Sequence, residues 1–219
     1  MTGGRRGVAP GSRRRRALAR LAAATGGRCS VAPGSRRRCV LARLAAARRT
    51  RPVKRALVVS AAAYFAVAAV GAVLPASADA VGRGGVWLLL TSALAAQGPL
   101  PLVQVGLTAA VAALAITRAG ATTWWLATLA GHVGSALIAY ALIAAAGAGH
   151  AAATPDYGVS CVLGASLGVL LTVRGDRVAT LVGVAGSLAL LPLSFGWIGL
   201  EHPLSVAIGA GIALKRRRG

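Results

Sequence analysis

The sequence predicts an all-α, polytopic membrane protein of six helices that follow a basic, disordered N-terminal tail. Hydrophobic residues make up 56% of the 219 residues and charged residues only 13%. Of the 25 Lys and Arg, 17 lie between Arg5 and Arg55, a segment without an acidic residue. Long uncharged stretches fill the rest, as in membrane proteins. We divide the chain into a tail over 1–55, a membrane domain over 56–214 and a basic terminus over 215–219.

The tail contains a tandem repeat. VAPGSRRRRALARLAAA, from Val8 to Ala24, returns as VAPGSRRRCVLARLAAA, from Val31 to Ala47. Each copy could form a short basic helix on an anionic lipid surface. The alternatives are a disordered low-complexity extension and a stretch that is not translated at all. No aromatic residue stands among the basic ones to stack on bases, so we expect no nucleic-acid partner.

Six apolar stretches approach the ~20 residues that a helix needs to cross the hydrocarbon core. The predicted spans are Ala56–Ala76, Pro101–Thr117, Thr123–Gly147, Tyr157–Val173, Val178–Phe195 and Gly199–Leu214. The apolar segment Gly85–Gln97 is too short to cross and is expected to be interfacial or re-entrant. Ala76-Ser77-Ala78 resembles a signal-peptidase site, but the long apolar stretch and long basic segment before it favour a retained first span.

The charges orient the predicted spans. If both termini are cytoplasmic, the basic flanks fall inside, in agreement with the positive-inside rule. These flanks are Arg118, the Arg174–Arg177 turn and Lys215–Arg218. Trp124 and Trp125 are then expected at the inner interface, with Trp87 and Trp197 at the outer one. The sequence therefore predicts a multi-pass protein of the cell membrane with both ends in the cytoplasm.

Two polar residues fall at the outer ends of apolar spans. Ser160 lies four residues beyond Asp156, roughly 6 Å into the fourth span, and His202 opens the sixth span just before Pro203. At comparable depth, a hydroxyl and an imidazole form the pair that a serine nucleophile requires. The alternatives are ordinary helix packing for the serine and pairing with Glu201 or a backbone carbonyl for the histidine.

Small residues on the same two spans predict that they pack closely. Gly164 and Gly168 are spaced by four residues below Ser160, and Ser205 and Gly209 are spaced by four below His202. Small residues at this spacing let helix backbones approach each other. Direct contact between the fourth and sixth spans is therefore expected.

In these motifs and their order, residues 56–214 resemble the rhomboid family of intramembrane serine proteases, and most closely the compact rhomboid-like membrane proteins of high-GC bacteria. Gly158-Val159-Ser160 with Gly168 is similar to the motif that opens span four in rhomboids. His202, Ser205 and Gly209 are similar to the motif on span six, and Trp87 with Thr91 to one in the interfacial segment. The resemblance implies a six-helix core, Ser160 as nucleophile, His202 as general base, and transmembrane proteins as substrates or clients.

The sequence departs from the rhomboid pattern around the oxyanion. Cys161 replaces the glycine after the serine, and Gly164 replaces an aromatic residue that packs on the histidine. The span-two positions that carry His and Asn in rhomboids are Pro101 and Val105 here, neither of which can donate from its side chain. Support from Gly158, Cys161 or the nearby Gln104 is the remaining expectation, and losing one donor can cost ~10²–10³ in rate.

His132 is a mid-membrane ionisable residue and hence a functional candidate by default. We favour a structural hydrogen bond for it, with donation to an oxyanion as the alternative.

Other functions remain open. A rhomboid-like pseudoprotease could bind transmembrane segments without cutting them. A small transporter is less favoured, because no charged side chain is predicted deep in a span. Scattered His and Cys residues predict no metal site and no cofactor.

Overall fold

The computed structural model describes residues 54–69, 74–96 and 100–218. The predicted tail and its repeat lie outside these residues, apart from Lys54 and Arg55. The described helices, in chain order, are α1 (54–69), α2 (Ala78–Gly82), α3 (Leu88–Ser92), α4 (Pro101–Ala119), α5 (Ala121–Ala145), α6 (Gly149–Ala153), α7 (Val159–Leu171), α8 (Arg177–Leu190) and α9 (Glu201–Arg218). Two 3₁₀ turns, Leu191–Ser194 and Ile198–Leu200, connect α8 to α9.

The fold is all-helical over the described residues, where the only β feature is an isolated antiparallel bridge between Ala76 and Asp156. Three of the described helical segments are long and apolar enough to cross a membrane: Pro101–Ala119, Ala121–Ala145 and Arg177–Ser194. Their outward faces expose large apolar side chains such as Leu102 and Leu181, which are 65% and 70% exposed. Exposure on this scale is expected of a lipid-facing surface. The count of six spans stays a prediction.

Helix α7 forms the centre of the bundle. It has 13 residues, of which all but Ser160 and Leu171 are buried. Helices α4, α5, α8 and α9 all pack against it. A helix that is apolar on every side is suited to such a position. It begins after Gly158 and ends before Thr172, so it is shorter than the predicted span Tyr157–Val173.

Glycines bring α7 and α9 into backbone contact. A Cβ on Gly168 would overlap the Val206 carbonyl oxygen and lie 2.8 Å from Ala210 N. A Cβ on Gly209 would overlap Ala165 O and lie 2.8 Å from Ala165 Cα. At Gly164, a Cβ would overlap Ser205 Oγ and lie 3.2 Å from His202 O. The absence of side chains at these three positions therefore permits the close approach.

The first predicted span was placed too far along the chain. Residues 54–69 are helical, but Leu74–Ser77 is not. Pro75 disfavours a helical conformation at the residue before it, and Ala76 instead pairs with Asp156. Ala76 N donates to Asp156 O at 3.2 Å, and Asp156 N donates to Ala76 O at 2.7 Å. The pairing joins the chain after α1 to the loop before α7.

Trp124, predicted at the inner interface, has a completely buried side chain, and its depth in the membrane stays a prediction. Its indole Nε1 donates to Ser166 Oγ at 2.9 Å, so the polar atom of the ring is satisfied within the bundle. An aromatic residue with an internal partner does not need the membrane surface. Trp87 and Trp197 are exposed, at 55% and 41%.

The described part of this predicted interfacial segment, residues 85–96, holds one helix, the five-residue α3, in keeping with its predicted failure to cross the membrane. Its backbone carbonyls cap α7. Ser92 O accepts from Gly158 N at 2.8 Å, and Ala95 O accepts from Val159 N at 3.3 Å. Unsatisfied N–H groups are normal at a helix start, and here a neighbouring segment satisfies two of them directly before Ser160.

Candidate functional site

Ser160 and His202 meet. Each is the second residue of its helix, α7 and α9 respectively, and both side chains are partly buried. Ser160 Oγ lies 3.0 Å from His202 Nε2. This distance is within the range in which an imidazole can take the proton of a serine hydroxyl.

A backbone carbonyl sets the tautomer of His202. The ring Nδ1 lies 3.2 Å from Leu193 O, in the first 3₁₀ turn after α8. A carbonyl oxygen can only accept, so this bond requires the proton on Nδ1. In the neutral ring Nε2 then carries the lone pair and faces Ser160. The carbonyl takes the orienting position that a carboxylate holds in the Ser-His-Asp triad.

The hydroxyl of Ser160 has a second acceptor within reach. Tyr157 O lies 3.3 Å from Ser160 Oγ, one turn earlier in the chain. A hydroxyl has one proton to donate, and the contact with His202 Nε2 is the shorter of the two. The serine is thus placed to move its proton to the imidazole.

A cavity of about 360 Å³ opens onto this pair. Its polar lining comprises Gln104, Asp156, Ser160, Cys161, Glu201 and His202, among others. An apolar groove of about 600 Å³ also reaches Ser160 and runs between α4 and α8. Its walls include Val103 and Leu107 on one side and Val182 and Leu190 on the other. The serine is therefore accessible both from the polar cavity and from the apolar groove.

The backbone N–H of Ser160 is one possible oxyanion donor. It belongs to the first turn of α7, whose N–H groups have no partners within the helix. Gly158 and Val159 donate to Ser92 and Ala95, and Cys161 donates to Gly158 O at 3.0 Å. For the Ser160 N–H, the described part of the chain shows no backbone acceptor.

The residues considered for the oxyanion in the sequence fall in different places. Gln104 lines the cavity, and Cys161 lines it beside the nucleophile. Val105 is buried against Val159 and Ala68, away from the polar cavity. Gly158 contacts the ring of His132, which a Cβ would overlap.

His132 does not line the cavity around Ser160. The residue is 2% exposed, and its Nε2 lies 2.7 Å from Leu89 O and 3.2 Å from Ser92 Oγ. Its Nδ1 is buried without a hydrogen-bond partner among the described residues. The geometry matches the favoured interpretation, a structural bond that ties α5 to the segment around α3.

The sequence did not predict a group of acidic and polar side chains beside the dyad. Glu201 is 1% exposed, and its Oε2 accepts from Cys161 Sγ at 3.4 Å. Asp156 is 3% exposed, and its Oδ2 accepts from Tyr140 OH at 2.9 Å. Glu201 thus pairs with Cys161 rather than with His202. The signal in the sequence was the presence of both acids at the starts of the same two helices, within four residues of the candidate pair.

Metal binding has no support in the described residues, which contain no group of three or more His, Cys, Asp or Glu placed to hold an ion.

The described residues thus belong to an all-helical membrane protein with a Ser-His pair next to a polar cavity. No protein-family model, curated protein or solved structure matches the chain.

Proposed function

We propose that this chain is a rhomboid-like intramembrane serine endopeptidase that cleaves transmembrane helices with the dyad Ser160 and His202. The observation that carries the proposal is the 3.0 Å contact between Ser160 Oγ and His202 Nε2, with His202 Nδ1 directed at Leu193 O. A serine that served only to pack two helices would not require a neighbouring imidazole whose Nε2 can accept a proton.

In the proposed mechanism Ser160 Oγ attacks the carbonyl carbon of a substrate peptide bond and gives its proton to His202 Nε2. The imidazolium then protonates the leaving amine as the peptide bond breaks and an acyl-enzyme forms. Water, deprotonated by His202, hydrolyses the ester and restores the serine. The Ser160 N–H and the Gln104 side chain are the assigned oxyanion donors.

The depth of the site fits this chemistry. In the proposed arrangement α1, α4, α5, α7, α8 and α9 span the membrane, with both termini cytoplasmic. The 13 residues of α7 extend about 20 Å, which is less than the ~30 Å hydrocarbon core. The proposed arrangement puts Ser160 below the outer surface, with the polar cavity as its source of water.

The apolar groove between α4 and α8 is the proposed path of the substrate. It is lined by aliphatic side chains and reaches Ser160. A transmembrane helix could enter it from the bilayer without exposing its apolar side chains to water. The bond to be cleaved would then lie next to the dyad.

Labelling with a fluorophosphonate probe in detergent tests the proposal. We expect wild-type protein to react, and Ser160→Ala and His202→Ala to lose ~10³-fold or more of the rate. Ser60→Ala and His150→Ala are the controls, since both residues are exposed and neither lines the cavity. Labelling should also fall towards acid pH, because a protonated imidazole cannot accept the serine proton. Equal labelling of wild type and both dyad variants would contradict the mechanism.

A pseudoprotease that binds transmembrane segments is the second candidate. It is favoured by one observation: Val105, at the position where rhomboids carry an oxyanion side chain, is buried and apolar. Under this alternative the groove would bind helices while the probe fails to label Ser160.

A further inference from the structure

The carboxyl group of Glu201 is buried beside the dyad with an unused acceptor. Its Oε2 accepts from Cys161 Sγ, but its Oε1 has no hydrogen-bond partner among the residues that the structure describes. Buried polar atoms in proteins are nearly always paired, and an exception calls for a physical reason. Glu201 lines the cavity, so a group that enters the cavity could supply the missing donor.

The charge of the cavity lining favours a cation as that donor. Asp156 and Glu201 both line the cavity, and the described lining contains no Lys or Arg. The Asp156 and Glu201 carboxyl groups are neighbours; they can bond to each other only if one of them is protonated, whereas a cation beside them favours the charged form of both. An isolated buried charge is costly, whereas one paired with a hydrogen-bonded cation is not.

The position of Glu201 relative to the dyad identifies which part of a substrate would provide the cation. Cys161 follows Ser160 and Glu201 precedes His202, and the Cys161–Glu201 contact of 3.4 Å lies next to the dyad contact. When Ser160 attacks a carbonyl, the side chain on the adjoining substrate Cα must enter the space beside the dyad. That space is the cavity of about 360 Å³, which Ser160, His202 and Glu201 all line.

We propose that Glu201, with Asp156 beside it, forms a subsite for the cationic side chain of a substrate Lys or Arg at the cleaved bond. Its role in cleavage rests on the proposed function, whereas binding of a cation does not. Glu201 is then a specificity-determining residue. The apolar groove binds the transmembrane helix of the substrate, and the acidic cavity binds the side chain at the cleaved bond.

Phosphonate probes test the specificity. The full-length protein in detergent is labelled with biotinylated α-aminoalkyl diphenyl phosphonates that carry either a lysine or a norleucine side chain. In the reaction Ser160 Oγ bonds to phosphorus, and the serine proton leaves with phenol. We expect the lysine probe to react about tenfold or more faster, because a bond to a charged group is worth that much. Equal rates, or a faster norleucine probe, would overturn the subsite without the need for any variant.

Matched variants locate the effect. Glu201→Gln keeps the size of the side chain and should bring the ratio of the lysine rate to the norleucine rate down to about one. Asp79→Asn removes an acidic residue that does not line this cavity, and it should keep the preference. A preference that survives Glu201→Gln, or that Asp79→Asn also abolishes, would contradict the assignment to Glu201.

A binding experiment separates failure of the subsite from failure of the protease mechanism. n-Butylammonium is titrated calorimetrically into wild type, Ser160→Ala and Glu201→Gln, with n-butanol as the neutral comparison. We expect saturable binding of the ammonium in the first two proteins, about tenfold or more weaker in Glu201→Gln. Binding without labelling by either probe would reject the protease and keep the subsite. Absence of saturable binding in all three would reject the subsite, whatever the activity.

Discussion

At the scale of single residues, the chemistry open to Ser160 and His202 depends on the hydrogen bonds around them as well as on their residue types. Leu193 O holds the proton on His202 Nδ1, which leaves Nε2 to face Ser160. The 3₁₀ turn that carries Leu193 therefore contributes to the site through its backbone alone. Substituting the Leu193 side chain leaves this carbonyl in place.

The hydrogen bond from Cys161 to Glu201 can be tested directly by substituting the cysteine. Its thiol donates to Glu201 Oε2 and links α7 to α9 one residue from the dyad. We expect Cys161→Ala to lower the free energy of unfolding by about 1–3 kcal/mol, because the carboxylate loses a buried partner. Cys161→Ser keeps a donor and should lose less. The thermal unfolding midpoint in detergent measures both, and equal losses would show that the bond is unimportant.

At the scale of elements, α7 and α9 act as one unit because their glycines let the backbones touch. The contact between these helices therefore controls the distance between Ser160 and His202. Ser160 and His202 extend from the same ends of the two helices, so any separation of the helices lengthens the Oγ–Nε2 distance.

Gly168 tests that dependence. Gly168→Ala places a Cβ in overlap with Val206 O and 2.8 Å from Ala210 N. Overpacking of this kind costs about 1–3 kcal/mol, and probe labelling should fall with the thermal midpoint. Gly211→Ala is the matched control on α9, where a Cβ would have nothing within 4 Å. The two variants behaving alike would argue against a close α7–α9 contact.

A second element-scale prediction concerns the start of α8. Asp176 caps the helix, with Oδ1 accepting from Ala179 N at 3.0 Å, and its Oδ2 lies 2.8 Å from Arg118 Nε. Asp176→Ala loses the cap and the ion pair, and we expect a loss of about 1–2 kcal/mol. Asp176→Asn keeps a capping oxygen and should lose under about 1 kcal/mol. Thermal unfolding distinguishes them, and a larger loss in Asp176→Asn would contradict this order.

At the scale of the whole molecule, the shortest of the described helices with ten or more residues, α7, lies at the centre of the bundle. Helices α4 and α5 and the Arg177–Ser194 segment carry the apolar surface, while α7 carries the nucleophile in a buried setting. A polar cavity lies at the end of α7 that carries Ser160.

The proposed six-span topology is testable with fusions. We expect green fluorescent protein fused after Arg218 to fluoresce, because that end is predicted to be cytoplasmic. Alkaline phosphatase inserted at Gly149, between α5 and α7, should be active because that loop is predicted to be outside. Fusions within the Arg174–Arg177 turn provide the cytoplasmic comparison. Phosphatase activity at the carboxyl end would contradict the orientation and with it the proposed entry of water from outside.

Much of the site could be predicted from one sequence because depth along a helix follows from residue count. Ser160 and His202 were identified by their positions at the outer ends of two apolar stretches, and small residues below them indicated which helices touch. The buried Glu201–Cys161 contact could not be predicted, because it depends on how two helices rotate about their axes. Residue counts give depth but not that rotation.

The helical class, the approximate bounds of the apolar helices and the candidate pair follow from the amino-acid order alone, since they depend on hydrophobicity and spacing along one chain. The packed fold was needed to establish that Leu193 O orients His202, that His132 bonds to Leu89 instead of lining the cavity, and that Glu201 turns inward beside the dyad. Each of these is a contact between segments distant in the chain, and its geometry is set by the packing of whole helices.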